Sequence, residues 1–202
     1  MPLAFAFAAI AGYADAVGYL RFKAFAGMMT GNTVLMGLAL FQRAELPVWE
    51  YAGVLLIFFG ASCFGYGAFR LRCPPLAIFL AEAVALILPD FAASAWSVVP
   101  LVIAMGLQNP LATRLGVALN TTFITGDSLH FAEGLAGLVL RHPARQAGFA
   151  IYGITWLAYA AGAAGGAAGD LFLSWPLVVP VAVLIYIYGQ AWRAGALTIS
   201  RR

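Results

Sequence analysis

Charge is scarce in this chain of 202 residues. Asp, Glu, Lys and Arg make up 9% of it, where soluble domains carry about a quarter. With 63% hydrophobic residues and a mean hydropathy of +0.92, that scarcity excludes a water-soluble domain and points to an integral membrane protein. Histidine and cysteine are equally rare, two of each, and His130, His142, Cys63 and Cys73 show no metal-ligand or redox spacing. Neither Gly-x-Ser-x-Gly nor His-Glu-x-x-His occurs, so the chain is read as a non-enzyme with no metal or cofactor. No polar run is long enough for a second domain, so residues 1–202 form one membrane domain. The net charge of +3 sits in short loops, a topology signal and not a nucleic-acid surface.

What is present is a series of continuous apolar stretches, near 3–20, 27–41, 51–69, 76–89, 97–113, 118–140, 147–169 and 175–192. Continuous runs predict helices, whereas barrel strands alternate. The fold class is therefore all-α, a polytopic helix bundle. Ala14-Asp15-Ala16 imitates a signal-peptidase site, but no basic stretch precedes it, and residues 1–20 are expected to stay as a helix. Trp49, Trp96, Trp156, Trp175 and Trp192 lie mostly at segment ends, as interfacial anchors do.

One polar signature occurs twice. Gly12-Tyr13-Ala14-Asp15 and Met29-Thr30-Gly31-Asn32 return as Gly106-Leu107-Gln108-Asn109 and Ile124-Thr125-Gly126-Asp127, at offsets of 94 and 95. Repetition at near-constant offset predicts two internal repeats, about 3–91 and 97–192, sharing one site. Asp15 aligns with Asn109 and Asn32 with Asp127, so each half holds one acid and one amide with the roles exchanged. Four such positions around a pseudo-two-fold axis can share protons or hold a cation without gathering four negative charges.

Lys and Arg bear on orientation. Eight spans make the halves parallel and divide the basic residues five against six, which is no bias. If 76–89, bounded by prolines and carrying Glu82, does not cross, nine share one side against Arg43 and Arg114. Seven spans with inverted halves, N-terminus outside and C-terminus inside, are thus preferred over eight parallel ones.

Polar groups at membrane depth are costly, which makes each a functional candidate. The candidates for binding a solute or ion are Asp15, Thr30, Gly31, Asn32, Gln108, Asn109, Thr122, Thr125, Gly126 and Asp127, with Thr121 beside them. Thr, Asn and Asp cap helices and glycine permits a broken one, so the triplets suit helices that start inside the membrane. His130 and Glu82 are candidates for a proton relay, and Glu82 could instead pair with Arg70 or Arg72. The plainer reading is that Thr, Asn and Gly at helix interfaces are packing and hydrogen-bonding residues. The small residues of the Gly-rich helix 147–169 permit close packing, either internal or in a homo-oligomer.

Together these motifs (Gly-Tyr-x-Asp-Ala, Met-Thr-Gly-Asn-Thr, Gly-Leu-Gln-Asn, Thr-Thr-Phe-x-Thr-Gly) resemble the YoaK-type family of small bacterial membrane proteins of unknown function. The resemblance covers essentially the whole chain. It implies a multi-pass protein of the bacterial cytoplasmic (inner) membrane and brings no substrate. The expectation is a secondary transporter or permease for a small solute or ion, coupled through Asp15 and Asp127. The alternative is a structural or regulatory membrane protein whose repeat is a packing core.

Overall fold

In the computed structural model, residues 2–41, 45–91, 97–117, 124–140 and 149–193 are described. They form eight α-helices and no strand: α1 Pro2–Phe22, α2 Met29–Phe41, α3 Val48–Arg70, α4 Pro75–Ile87, α5 Val98–Arg114, α6 Ile124–Val139, α7 Phe149–Phe172 and α8 Val178–Arg193. A 3-10 turn, Leu88–Asp90, extends α4. Two helices, Leu3–Phe22 and Val48–Arg70, are long and apolar enough to cross a membrane by length and composition. The outside of the bundle is as apolar as its inside. α3 turns Tyr51, Val54, Phe58 and Ala61 inward and leaves Leu56, Phe59 and Phe64 exposed. A helix apolar all round suits a hydrocarbon surrounding.

Side-chain contacts fix the direction of each helix. Gln108 Nε2 donates to Phe7 O (3.1 Å) while Leu101 lies against Gly18, so α1 and α5 are antiparallel. Gly162 meets Ala9 and Gly166 meets Tyr13, which makes α7 parallel to α1. Gly106 meets Ala61 and Gly65 meets Pro110, which makes α3 parallel to α5. α4 and α8 run antiparallel, with Phe79 stacked on Tyr188 (4.2 Å) and the Leu177 N–H donating to Asp90 Oδ2 (2.8 Å). One end of the bundle, the Arg21 end, thus gathers the end of α1, the start of α3, the Asp90 turn and the α7–α8 connection. The opposite end holds Arg70.

The most extensive packing is α1 on α7 and α3 on α5, followed by α6 on α7, α4 on α5 and α2 on α3. Gly12 and Gly106 each sit at a close helix crossing. A Cβ on Gly12 would strike the Tyr159 carbonyl, and one on Gly106 would lie 2.9 Å from the Phe58 carbonyl. Pro110 inside α5 cannot donate to the Gly106 carbonyl one turn back, and the Ser62 hydroxyl supplies the missing bond at 3.0 Å.

The expectation that 76–89 fails to cross meets a different arrangement. α4 with its 3-10 turn runs from the Arg70 end to the Arg21 end, because Asp90 is tied there to Arg21 and Leu177. It is α2 that starts part-way. After α1 the chain turns at Lys23 (φ 57°) and folds back, stacking Phe25 on Tyr19 (4.9 Å). It delivers Gly27 and Met28 to Asp15, about 10 Å below the end of α1. α2 rises again from that level, and Tyr51 of α3 binds Lys23 O (3.2 Å) at the top. α6 is antiparallel to α7, with Phe131 against Gly153 and Phe149 against Gly134. Continuing that register sets Ile124 level with the middle of α7, so α6 also begins mid-bundle and runs toward the Arg70 end. Helices of 13 and 16 residues span about 20 and 24 Å, short of a hydrocarbon core of about 30 Å. The parallel eight-span arrangement does not fit the antiparallel α1 and α5.

Candidate functional site

Asp15 is buried on the inner side of α1. Its Oδ1 accepts from Gly27 N–H (2.6 Å) and Met28 N–H (3.1 Å), and its Oδ2 accepts from the Tyr159 hydroxyl of α7 (2.6 Å). The carboxyl group therefore caps α2 from a neighbouring helix, because the loop carries no side chain of its own to do so. Asn32, fully buried, holds the same loop from the other side. Its Oδ1 accepts from Phe25 N–H (2.9 Å) and its Nδ2 donates to Phe25 O (2.7 Å). One amide side chain thus satisfies both backbone groups of a residue that has no helical partner.

Gly31 lies in the first turn of α2, where a Cβ would be 2.8 Å from both the Phe25 ring and the Met28 methyl. Thr30 faces outward and is exposed, so it does not join Asp15 and Asn32. The first triplet therefore sits inside the first turn of α2, not in a break between two helices.

In the second half, Gln108 is fully buried and links α5 to α1 through Phe7 O. Asn109 is half-buried beside it, and its carbonyl accepts from the Thr113 hydroxyl (2.9 Å). Asp127 lies in the first turn of α6 at 6% exposure. Among the described residues its Oδ2 has no hydrogen-bond partner. Gly126 is half-buried next to it. Thr121 and Thr122 lie outside the described residues, and Thr125 is placed in α6 by its backbone alone. His130 is exposed one turn beyond Asp127, its ring 4.9 Å from that of Tyr152.

The two proposed relay members are not brought together. Glu82 belongs to α4, which packs on α5 and α8, whereas His130 belongs to α6, which packs on α7. Glu82 does not pair with Arg70 or Arg72, which are exposed near the far end of α3. Asp15 and Asp127 also differ in height. The register of α1 and α6 on α7 separates their levels by about 12 Å along the bundle.

Sequence reasoning missed two arrangements. The first is Tyr159, the only side chain that donates to Asp15 among the described residues. Gly12 meets the Tyr159 backbone where α1 crosses α7, and Gly106 meets the Phe58 backbone where α5 crosses α3. Tyr159 lies 101 residues after Phe58, so the motif offset of 94 does not point to it.

The second is an ion cluster at the Arg21 end. Arg21 pairs with Asp90 (3.1 Å) and with Asp170, and Tyr13 donates to Pro176 O (2.9 Å) beside it. Burial pushes the Asp90 carboxyl up from its ordinary value, against the Leu177 N–H and Arg21, which pull it down.

The Gly-rich helix is engaged within the chain, where Gly162 and Gly166 admit the backbone of α1. Gly165 lines an apolar groove of about 520 Å³ between α1, α7 and α8, with Ile10, Phe172 and Val183 among its walls. The groove is separate from the polar residues around Asp15. Among the described residues no group of three His, Cys, Asp or Glu side chains could hold a metal.

The family described as "Protein of unknown function (DUF1275)" matches residues 3–189. No curated protein and no solved structure matches the chain.

Proposed function

The chain belongs to the DUF1275 family, and on that premise we propose that it is a small secondary transporter or permease of the bacterial cytoplasmic membrane. The YoaK-type resemblance of its motifs agrees with this reading. Two inverted halves, α1–α4 and α5–α8, move a small solute or ion, with coupling through the buried carboxyls. The observation that carries the reading is the pair of short helices. α2 and α6 start near mid-bundle, run to opposite ends, and each has a motif carboxyl buried at its start. Discontinuous helices whose N-termini meet near the membrane centre are a common way to build a solute site.

Exchange of the halves also carries the main helix pairings onto one another. α1 on α7 becomes α5 on α3, α2 on α3 becomes α6 on α7, and α4 on α5 becomes α8 on α1. In this reading six helices cross and α2 and α6 dip in from opposite sides. The connections at the Arg70 end then hold Arg70, Arg72, Arg114, Arg141, Arg145, Arg193, Arg201 and Arg202, against Arg21, Lys23 and Arg43. Eight against three makes the Arg70 end cytoplasmic.

Asp15, Asn32, Gln108, Asn109 and Asp127 are the residues this reading assigns to the solute or ion. A thermal-shift screen of purified protein against ions and small metabolites at two pH values identifies the ligand. Flux of that ligand into proteoliposomes is expected to fall, or to lose its pH dependence, in Asp15→Asn or Asp127→Asn. Unchanged flux and pH dependence in both variants would remove the coupling role.

A second reading has its own support, because Asp15 uses both carboxyl oxygens on Gly27, Met28 and Tyr159, which fixes the start of α2. A non-transporting structural or regulatory protein predicts that the same substitutions lower thermal stability and that no ligand shifts it.

A further inference from the structure

Glu82 stands apart from the duplicated motif. It lies seven residues from the start of α4 and eight from Asp90, so about 10 Å of helix separates it from either end of the bundle. The residue is fully buried, and among the described residues neither carboxyl oxygen has a hydrogen-bond partner. Its helix packs on α5 and α8, whose buried side chains include Leu101, Val102, Met105, Leu184 and Ile187, with Gln108 the buried polar side chain further along α5.

The ionisable groups on the elements around it are few. α5 has none before Arg114 in its last turn, and α8 has Tyr186, Tyr188 and Arg193. The 3-10 turn has Asp90, already committed to Arg21 and Leu177. No cation among these lies within ion-pair distance of Glu82, so among the described residues its carboxyl has no counterion.

A leucine would fill this place without leaving a polar group unbonded. The carboxyl therefore contributes nothing to the packing seen here, and a bare carboxylate in such surroundings is strongly disfavoured. The symmetry of the chain sharpens the point. Pro75 of α4 corresponds to Pro176 before α8 at the offset of 101 that relates Phe58 to Tyr159, and at that offset the counterpart of Glu82 is Val183. Asp15, by contrast, accepts three hydrogen bonds that hold a loop in place.

We propose that Glu82 is a proton-binding site, present once in the chain, which holds a proton on its carboxyl group in this conformation and exchanges it with water. The inference rests on the transporter reading and deepens it by adding a proton site on α4 to the carboxyls of Asp15 and Asp127. No other chemistry is required: one proton joins a carboxylate oxygen of Glu82 and later leaves from it.

The test needs no transported solute, so its failure is separate from failure of the transporter reading. Infrared spectra of the purified protein in lipid are recorded in water and after transfer to deuterium oxide. A carbonyl band of a protonated carboxyl is expected in wild type, in Asp15→Asn and in Asp127→Asn, lost in Glu82→Gln, and shifted by deuterium within minutes. Dicyclohexylcarbodiimide, which attacks protonated carboxyls in apolar surroundings, is expected to leave an adduct that peptide mass spectrometry places on Glu82. If Glu82→Gln does not fold, the wild-type adduct map decides alone, and absence of the adduct overturns the proposal. A band that persists in Glu82→Gln also overturns it, as does one that deuterium leaves unshifted, because the acid would then be charged or inert.

Discussion

Removing the Tyr159 hydroxyl tests the arrangement on which the candidate site rests. In Tyr159→Phe the Asp15 Oδ2 loses its only donor among the described residues, while Gly27 and Met28 continue to bind Oδ1. A hydrogen bond to a carboxylate contributes roughly 1.5–3 kcal/mol, and the packing of the ring is unchanged, so the single variant should lose about that much. Asp15→Ala removes the acceptor for three donors and leaves two backbone N–H groups and one hydroxyl buried without it. At roughly 1–3 kcal/mol for each unsatisfied group, its cost is about 3–9 kcal/mol. The double variant should cost less than the sum, because one interaction has been counted in both singles, and the expected coupling is about 1.5–3 kcal/mol. Thermal unfolding of the four proteins in one detergent at one pH measures it. A coupling below about 0.5 kcal/mol, the usual limit of additivity, would refute the bond between Asp15 and Tyr159.

Three further outcomes follow from the same geometry. On the proposed exchange of the halves, Asn109→Asp creates the counterpart of Asp15 and should destabilise by about 1–3 kcal/mol, with partial recovery when Phe58→Tyr supplies the counterpart of Tyr159; no recovery in unfolding experiments would break the proposed correspondence. Ser62→Ala strips the Gly106 carbonyl of the bond that Pro110 cannot supply, so a loss of about 1–2 kcal/mol is expected, and an unchanged melting temperature would contradict it. Arg21→Ala should destabilise more than Asp170→Asn, since it leaves the fully buried Asp90 side chain without its cation, whereas the Asp170 side chain is 24% exposed. Equal losses in the two variants would count against that ranking.

Much of the candidate site was legible as a list of residues. Asp15, Asn32 and Gln108 are costly to place in hydrocarbon, and the structure gives each a specific bond. Their partners were not legible. Tyr159 is 144 residues from Asp15, and hydropathy does not say which of seven other helices will face α1. Helix depth was hidden for a related reason. An apolar run reports that a segment avoids water and is silent on where it starts, so α2 read as a span and α4, bounded by prolines, read as the exception. Thr30 was misjudged because capping chemistry was read from its type, while its place on α2 turns it outward and leaves the cap to Asp15.

The packing of α1 on α7 and α3 on α5 has a consequence for biosynthesis. Each half makes its broadest contacts with the other half, so the half that leaves the ribosome first has no finished core. α1 presents Gly12 and Asp15 to lipid, or to an insertase, until α7 has been translated. The chain must then close as an interlock of its first and second stretches, and not as two pre-folded blocks docking.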